Sequence, residues 1–330
     1  MLMLNKMFNP KKLTTMTTKL NIIKGLGILA IIATALTSNA QQDPMYTQYM
    51  FNTQTINPAY AGTWESVGFM ALGRHQWTGW KDAPETYTFA FQAPLKNERV
   101  AFGFDIISDK VGFEKRFYMF ADYSYLVPVS EKTNLRLGLK GGFTNYSHNL
   151  QDHNIIDPND PSFIGEIEQK FKPNFGVGAF LYSKKAYVGF SIPKVVNSTF
   201  DNNYENFSIE GELRHYFLIA GAVFDLGENV KFKPTMLTKA SFTSETGTPV
   251  QFDLTGNFLI KEKLWLGAMY RTGSSYGFIA QFLFADKLRL GYAIDFATNN
   301  LKNYNNGTHE IMVSYELRFK KEEVISPRYF

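Results

Sequence analysis

The clearest pattern in this chain lies near its C-terminus. In HEIMVSYELRF, Ile311, Val313, Tyr315, Leu317 and Phe319 fall on one face, while Glu310, Met312, Ser314, Glu316 and Arg318 fall on the other. Successive residues of a strand point to opposite faces, so a period of two marks a strand with one apolar and one polar side. The same alternation sets Leu288, Leu290, Tyr292, Ile294 and Phe296 against Arg289, Gly291, Ala293 and Asp295. It also sets Leu135, Leu137 and Leu139 against Arg136, Gly138 and Lys140. Fourteen strands are expected, near 66–76, 85–94, 99–108, 115–128, 133–147, 172–182, 186–196, 213–226, 230–241, 249–260, 264–273, 276–284, 288–298 and 308–319.

A soluble sandwich shows the same period, so the connections have to separate the two. The even-numbered ones are tight: PLKNE, VPVSEKT, SKKA, GEN, KEK and ADK, each with charged or turn-forming residues. Most odd-numbered ones are long, with 147–172 and 196–213 the largest; the eleventh, between Gly273 and Tyr276, is the short exception. Short turns on one side and longer loops on the other describe an outer-membrane barrel. The chain is therefore expected to be all-β: a 14-stranded antiparallel transmembrane β-barrel with a short N-terminal extension. An even strand count puts both termini on the periplasmic side. Trp77 and Trp80 in the first outer loop, and Trp265 beside a tight turn, are expected at the membrane interfaces, where Trp and Tyr collect.

Charge then sorts the faces. The expected inner face carries both signs, on Asp105, Asp122, Arg136, Lys140, Lys231, Lys233, Arg289, Asp295, Glu316 and Arg318. An ion-selective pore favours one sign, so mixed charge predicts a lumen of paired side chains, with filling by protein left as one option. The formal net charge of +4 does not signal nucleic acid. Lys6, Lys11, Lys12, Lys19 and Lys24 lie in the first 40 residues, and removing those five leaves −1.

Those 40 residues have the form of an export signal: a basic region, the apolar core GLGILAIIATAL, and small residues in SNA before a cleavage point near Ala40. Met16 is an alternative start to Met1. The expected organisation is a signal peptide at 1–40, a plug or strap segment at 41–65, the barrel at 66–319 and a tail at 320–330. The segment QQDPMYTQYMFNTQTINPAYAGT, from Gln41 to Thr63, is nearly uncharged and rich in Tyr, Asn and Gln. It fits a plug lining the lumen, a dock for a periplasmic partner, or a plain strap.

Little in the chain asks to be an active site. There is no cysteine, and the five histidines (His75, His148, His153, His215 and His309) show no zinc-ligand spacing. The loop holding Asp152, Asp157 and Asp160 lacks the pattern of a calcium-binding loop. GSSYG, from Gly273 to Gly277, matches a nucleophile elbow, with Asp295 and His309 following in order. That elbow joins a strand to a helix, and here strand runs into strand, so a hairpin turn is expected. Neither catalysis nor a cofactor or metal is expected.

DPMYTQYMFNTQTINPAYAGT closely resembles the N-terminal signature of the PorP/SprF family, outer-membrane proteins of the type IX secretion system. The resemblance continues in RHQWTGWKDAPETYTFAF and returns in LGYAIDF, NNGTHEIMVSYEL and SPRYF. It implies a barrel that works with type IX components, or that docks, helps deliver and anchors a secreted adhesin-type surface protein bearing a C-terminal signal domain, with gliding motility among the implied roles. Carried onto this chain, it marks Tyr46, Tyr49, Asn57, Pro58, Tyr60, Arg74, Gln76, Trp77, Trp80, His309 and Glu310 as candidate partner contacts, with His309 and Glu310 at the outer rim. The expected partners are those components, the surface protein and the lipid bilayer, with no nucleic acid. The alternative is a 14-stranded transporter of fatty acids or small hydrophobes. It requires an apolar pocket under the outer loops, which the charged inner positions disfavour.

Overall fold

The computed structural model describes residues 43–149, 166–201, 208–241, 250–284 and 287–317. The expected signal peptide and tail, Arg318 and Phe319 of the expected last strand, and the loop aspartates Asp152, Asp157 and Asp160 lie outside them. Seventeen strands follow in chain order: β1 (Val67–His75), β2 (Glu85–Pro94), β3 (Val100–Val111), β4 (Glu114–Ser130), β5 (Thr133–Asn149), β6 (Glu166–Ser183), β7 (Ala186–Ile192), β8 (Ser198–Asp201), β9 (Ser208–Glu212), β10 (His215–Ala222), β11 (Phe224–Asp225), β12 (Val230–Ser241), β13 (Gln251–Ile260), β14 (Leu264–Arg271), β15 (Ser275–Phe284), β16 (Leu288–Ala297) and β17 (Thr308–Leu317).

Fourteen of these close into one antiparallel barrel. The first strand pairs with the last (Ala71 opposite Val313), and β10 pairs with β12 (Leu218 opposite Thr238), so the ring has no free edge. Closure is what hydrocarbon demands, because lipid offers no partner to an unpaired backbone N–H or C=O. The two-residue β11 is an extra stub on β12, and β8 and β9 form a separate hairpin inside the β7–β10 connection. The alternation sets the register. On β17, Ile311, Val313 and Tyr315 are exposed on the outer wall, while Glu310, Met312 and Ser314 are buried inside. Leu137 and Leu139 face outward on β5, and Arg136 and Lys140 inward.

Five expectations need correction. The stretch 213–226 is two strands, because the β10 ladder stops at Gly221 opposite Thr235, beside Pro234, which has no N–H to offer. The strand expected at 172–182 starts earlier, at Glu166, and shifts register against β5 between Thr144 and Tyr146. The third connection is also tight, turning at Gly112 with φ 60°. Trp265 is not in an interface girdle: its position in the β14 register turns it into the lumen, 2% exposed. Among the charges expected inside, Lys231 instead sits at the rim beside Glu262, 2.7 Å away.

The register makes a measurable statement. Leu139→Arg puts a cation on the lipid face near mid-barrel and is expected to destabilise folding into phospholipid vesicles by about 2–4 kcal/mol. Titration with urea checks it. An unchanged midpoint would mean that this face does not meet hydrocarbon.

Candidate functional site

The lumen is occupied by the chain's own N-terminal segment. Residues 46–55 and 57–63 are buried throughout. Three short helical turns, Tyr49–Phe51, Thr53–Ile56 and Pro58–Tyr60, fold the segment so compactly that it satisfies part of its own backbone, with Asn57 N donating to Thr53 O at 2.9 Å and Tyr60 N to Asn57 O at 3.0 Å. Side chains of the wall satisfy much of the rest.

The segment begins at the outer end of the barrel. Asp43 pairs with Lys194 at 2.7 Å, just past β7, and with His215 at 3.1 Å, the first residue of β10. Those strand ends border the longest loops. From there the segment descends to the start of β1, so the expectation that the chain's N-terminal side lies at the periplasmic end does not hold for residue 43. Burial pushes the Asp43 carboxyl up, but Lys194 first, then His215 and Lys239, outweigh it and hold the group well below the usual carboxylate range.

Two of the sequence signatures meet here. The Glu310 carboxylate accepts the backbone N–H groups of Thr47 (2.6 Å) and Gln48 (3.0 Å). Arg74 donates to Glu310 at 2.5 Å, to Asp295 at 3.0 Å and to the Thr47 hydroxyl at 3.1 Å; Thr47 donates in turn to Asp295 at 2.7 Å. Arg74, Asp295 and Glu310 all lie in the wall within 4% exposure. One guanidinium between two carboxylates leaves a net negative site, and the two plug amides, with their positive dipole ends, complement it.

Further down, the Tyr46 hydroxyl meets Thr88 at 2.6 Å, and its carbonyl accepts Arg271, which is held bidentately by Asp253. Tyr49 donates to the carbonyls of Thr235 and Asp253. Phe51 packs edge-on against Trp265 at 5.8 Å, with the Lys233 ammonium over the Phe51 and Trp265 rings and the Arg289 guanidinium over Phe51. Gln54 reaches Asp122, which shares Lys140 with Asp105. The Asn57 side chain caps Ala59 N and reaches the carbonyls of Ala179 and Phe190. Tyr60 meets Phe180 edge-on at 5.4 Å. The wall is carved to admit this turn: a Cβ on Gly138 would stand 2.2 Å from Ala59 N, and one on Gly178 2.2 Å from the Asn57 oxygen.

Thus Tyr46, Tyr49, Asn57, Pro58, Tyr60, Arg74 and Glu310 come together as plug and receptor inside the barrel. The remaining candidates lie at its mouth. His309 turns to the outer wall, where it meets the Tyr292 hydroxyl at 2.6 Å. Gln76 and Trp77 line an outer vestibule of about 280 Å³ floored by Asp43, Pro44 and Met45. The loops 76–84 and 298–307 are stitched by Thr78 N to Gly307 O and Asn306 N to Thr78 O, both 2.8 Å. That stitch gathers Trp77, Trp80 and Tyr304 into a run with ring centres 6.0 and 6.3 Å apart; Trp80 is 46% and Tyr304 70% exposed. Tyr304, Trp265, Lys194 and the Asp253–Arg271 pair were missed in the sequence. The inward phase of β13 and β14 was the available signal for the last pair. The GSSYG residues do not form a triad: Ser275 is buried in the wall, Asp295 is taken by Arg74, and His309 points to the opposite side of the sheet. Among the described residues no cluster of metal-ligating side chains occurs.

A family model for the type IX secretion system membrane protein PorP/SprF matches residues 38–315. The chain belongs to the PorP/SprF family. A search of curated protein sequences returned no match. Among solved structures it is similar to the CymD monoaromatic hydrocarbon channel (13% identity, 88% of this chain and 98% of that one, TM-score 0.47). It is also similar to the outer membrane protein Omp33 of Acinetobacter baumannii (11%, 77% and 99%, TM-score 0.43) and to the KdgM porin (6%, 76% and 100%, TM-score 0.39). This PorP/SprF barrel is an outer-membrane protein of the type IX system.

Two outcomes test the plug and its receptor. Gly138→Val is expected to expel the segment, so that protease cleaves within 43–66 while the barrel still shows heat-modifiable migration on a gel; continued protection would contradict the packing. A depressed carboxyl stabilises above its ordinary range and loses that contribution as pH falls through its folded value, below the free value of about 3.9. The protection of the Thr47 and Gln48 amides from hydrogen exchange, with the intrinsic pH dependence of exchange divided out, is therefore expected to hold at about pH 5 and to fall only below about pH 4, whereas Asp43→Asn lowers it throughout.

Proposed function

We propose that this PorP/SprF protein is a closed docking barrel that holds an exported surface protein of the type IX system at its outer mouth and does not serve as a pore or an enzyme. The observation that carries the reading is the filled lumen. Every level of the barrel, from Asp43 at the outer end to Trp64 at the periplasmic end, is crossed by the plug and its hydrogen bonds. With the channel occupied, the surface left for recognition is the mouth. There Trp77, Trp80 and Tyr304 present rigid aromatic area over a polar vestibule, the composition that anchors protein interfaces.

The transporter alternative needs an apolar chamber beneath the loops. Among the described residues, the recess between plug and wall is partly open, has Asp43, Asp105, Lys140 and Lys194 beside Tyr46, Ile56 and Phe120 in its lining, and measures about 50 Å³, room for a few waters. That supports docking over transport of a hydrophobe.

The test is a pull-down of the tagged barrel from gently solubilised outer membranes, with mass spectrometry of what accompanies it. A large surface protein with a C-terminal signal domain is expected, reduced on the order of tenfold or more by Trp80→Ala with Tyr304→Ala. Recovery of periplasmic type IX components, unaffected by those changes, would move the docking face to the other end. A barrel recovered alone would overturn the proposal.

A further inference from the structure

The outer wall is not uniformly convex. Where the β10 ladder breaks beside Pro234, the lipid-facing side chains of four neighbouring strands are small: Ala220 and Ala222 on β10, Pro234 on β12, Gly256 on β13 and Ala268 on β14. They floor a shallow, widely open apolar groove of about 700 Å³ whose lining also reaches the inward-facing Tyr187, Thr235, Thr255 and Met269. Phe224 and Phe232 bound its lower end, and Leu254 opposite Tyr270 closes the top. From the pair Ile260–Leu264 at the turn to Leu254–Tyr270 is six positions along the ladder. That is about 20 Å of strand at about 3.3 Å per residue, which on a tilted strand matches about half of the 30 Å hydrocarbon core. The groove therefore lies in the periplasmic leaflet.

Its lower rim is mixed but net positive, with Lys184, Lys185, Lys231, Lys261 and Lys263 against Asp225, Glu228 and Glu262. The turn after β6 carries Lys184 and Lys185, and the turn after β13 carries Lys261 and Lys263. Backbone bonds hold these turns beside the groove: Val223 N donates to Lys185 O at 2.7 Å, and Lys261 N to Asn229 O at 2.7 Å. Lys185 is paired with Asp225. Lys184, Lys261 and Lys263 are exposed and form no ion pair among the described residues.

We propose that this groove is a binding site for an anionic phospholipid of the periplasmic leaflet. One acyl chain lies along Ala220, Pro234, Gly256 and Ala268, and the headgroup phosphate rests against Lys261 and Lys263. Three features specify the occupant together. The groove faces hydrocarbon, its length is one leaflet, and its charged lower border carries more lysines than acids, with Lys184, Lys261 and Lys263 forming no ion pair among the described residues beside Asp225, Glu228 and Glu262, at the height where basic residues attract anionic lipid. The chain-sized recess distinguishes it from the rest of the wall, where large side chains such as Leu137, Phe175 and Phe282 stand out from the sheet.

The experiment is native mass spectrometry of the full-length mature barrel released from vesicles of equal phosphatidylglycerol and phosphatidylcholine. The wild type is expected to retain one phosphatidylglycerol at collision energies that strip phosphatidylcholine. Ala222→Trp with Ala268→Trp, which fills the groove from its lipid side, is expected to lower that retention at least tenfold. Leu137→Trp on β5, outside the groove, is expected to leave it unchanged. Lys261→Glu with Lys263→Glu is expected to abolish the preference for phosphatidylglycerol, and it decides the matter if the tryptophan pair fails to fold. Equal retention of both lipids by the wild type, or undiminished retention by the folded filled variant, would overturn the site. A wild-type dimer that the filled variant dissolves would assign the groove to a second copy of the chain instead.

Discussion

Glu310 receives two backbone N–H groups of the N-terminal segment, and much of this protein follows from why it must. A chain that crosses a bilayer as strands turns its apolar side chains to the lipid, so its polar ones converge on a narrow interior. There Arg74, Asp295, Glu310, Asp105, Asp122 and Lys140 are buried, and buried charges are costly unless paired and hydrogen-bonded. The wall pairs some of them with each other. Others keep acceptor capacity after that pairing, as the Glu310 carboxylate does beside Arg74 of the neighbouring strand. The N-terminal segment supplies the donors from the axis of the barrel. Sealing the lumen and satisfying its charges are the same act.

This explains why the segment has the composition it has. A charged plug would add ions to an interior already full of them, and an apolar plug would leave the wall unsatisfied. Tyr, Thr, Asn and Gln bring hydrogen-bonding groups without net charge. The small residues of NPAYAG let the turn lie against the wall, where Ala59 and Ala61 are fully buried and Gly138 and Gly178 clear room opposite. Gly62 then leaves the lumen with φ +83°, and a Cβ there would collide with Ala101, so no other residue fits. Because the segment runs from the outer end to the first residue of β1, pairing of β1 with β17 encloses it.

The wall was legible because strand period is a local property: Ile311, Val313 and Tyr315 announce their face without reference to anything distant. The mixed sign of the inner charges was legible too, and it pointed to paired side chains in the interior, with the plug one of the readings open for the N-terminal segment. What the sequence did not disclose is which charge meets which. Arg74 and Asp295 are 221 positions apart, and only closure of the ring makes them neighbours. Trp265 was misplaced for a related reason: a Trp near a turn suits an interface girdle in general, and its inward phase in β14 was the overriding fact. The break in the β10–β12 ladder could have been anticipated from Pro234 in mid-strand, a residue whose missing N–H argues against unbroken pairing.

The central claim, that the lumen is closed by the chain itself, is tested most directly by single-channel recording of the purified mature protein in a planar bilayer. No steady conductance is predicted for the wild type, with open levels appearing only when the segment 43–63 is deleted. A stable, ohmic conductance from the intact protein would mean that the segment does not occupy the lumen, and the account built on it would fall.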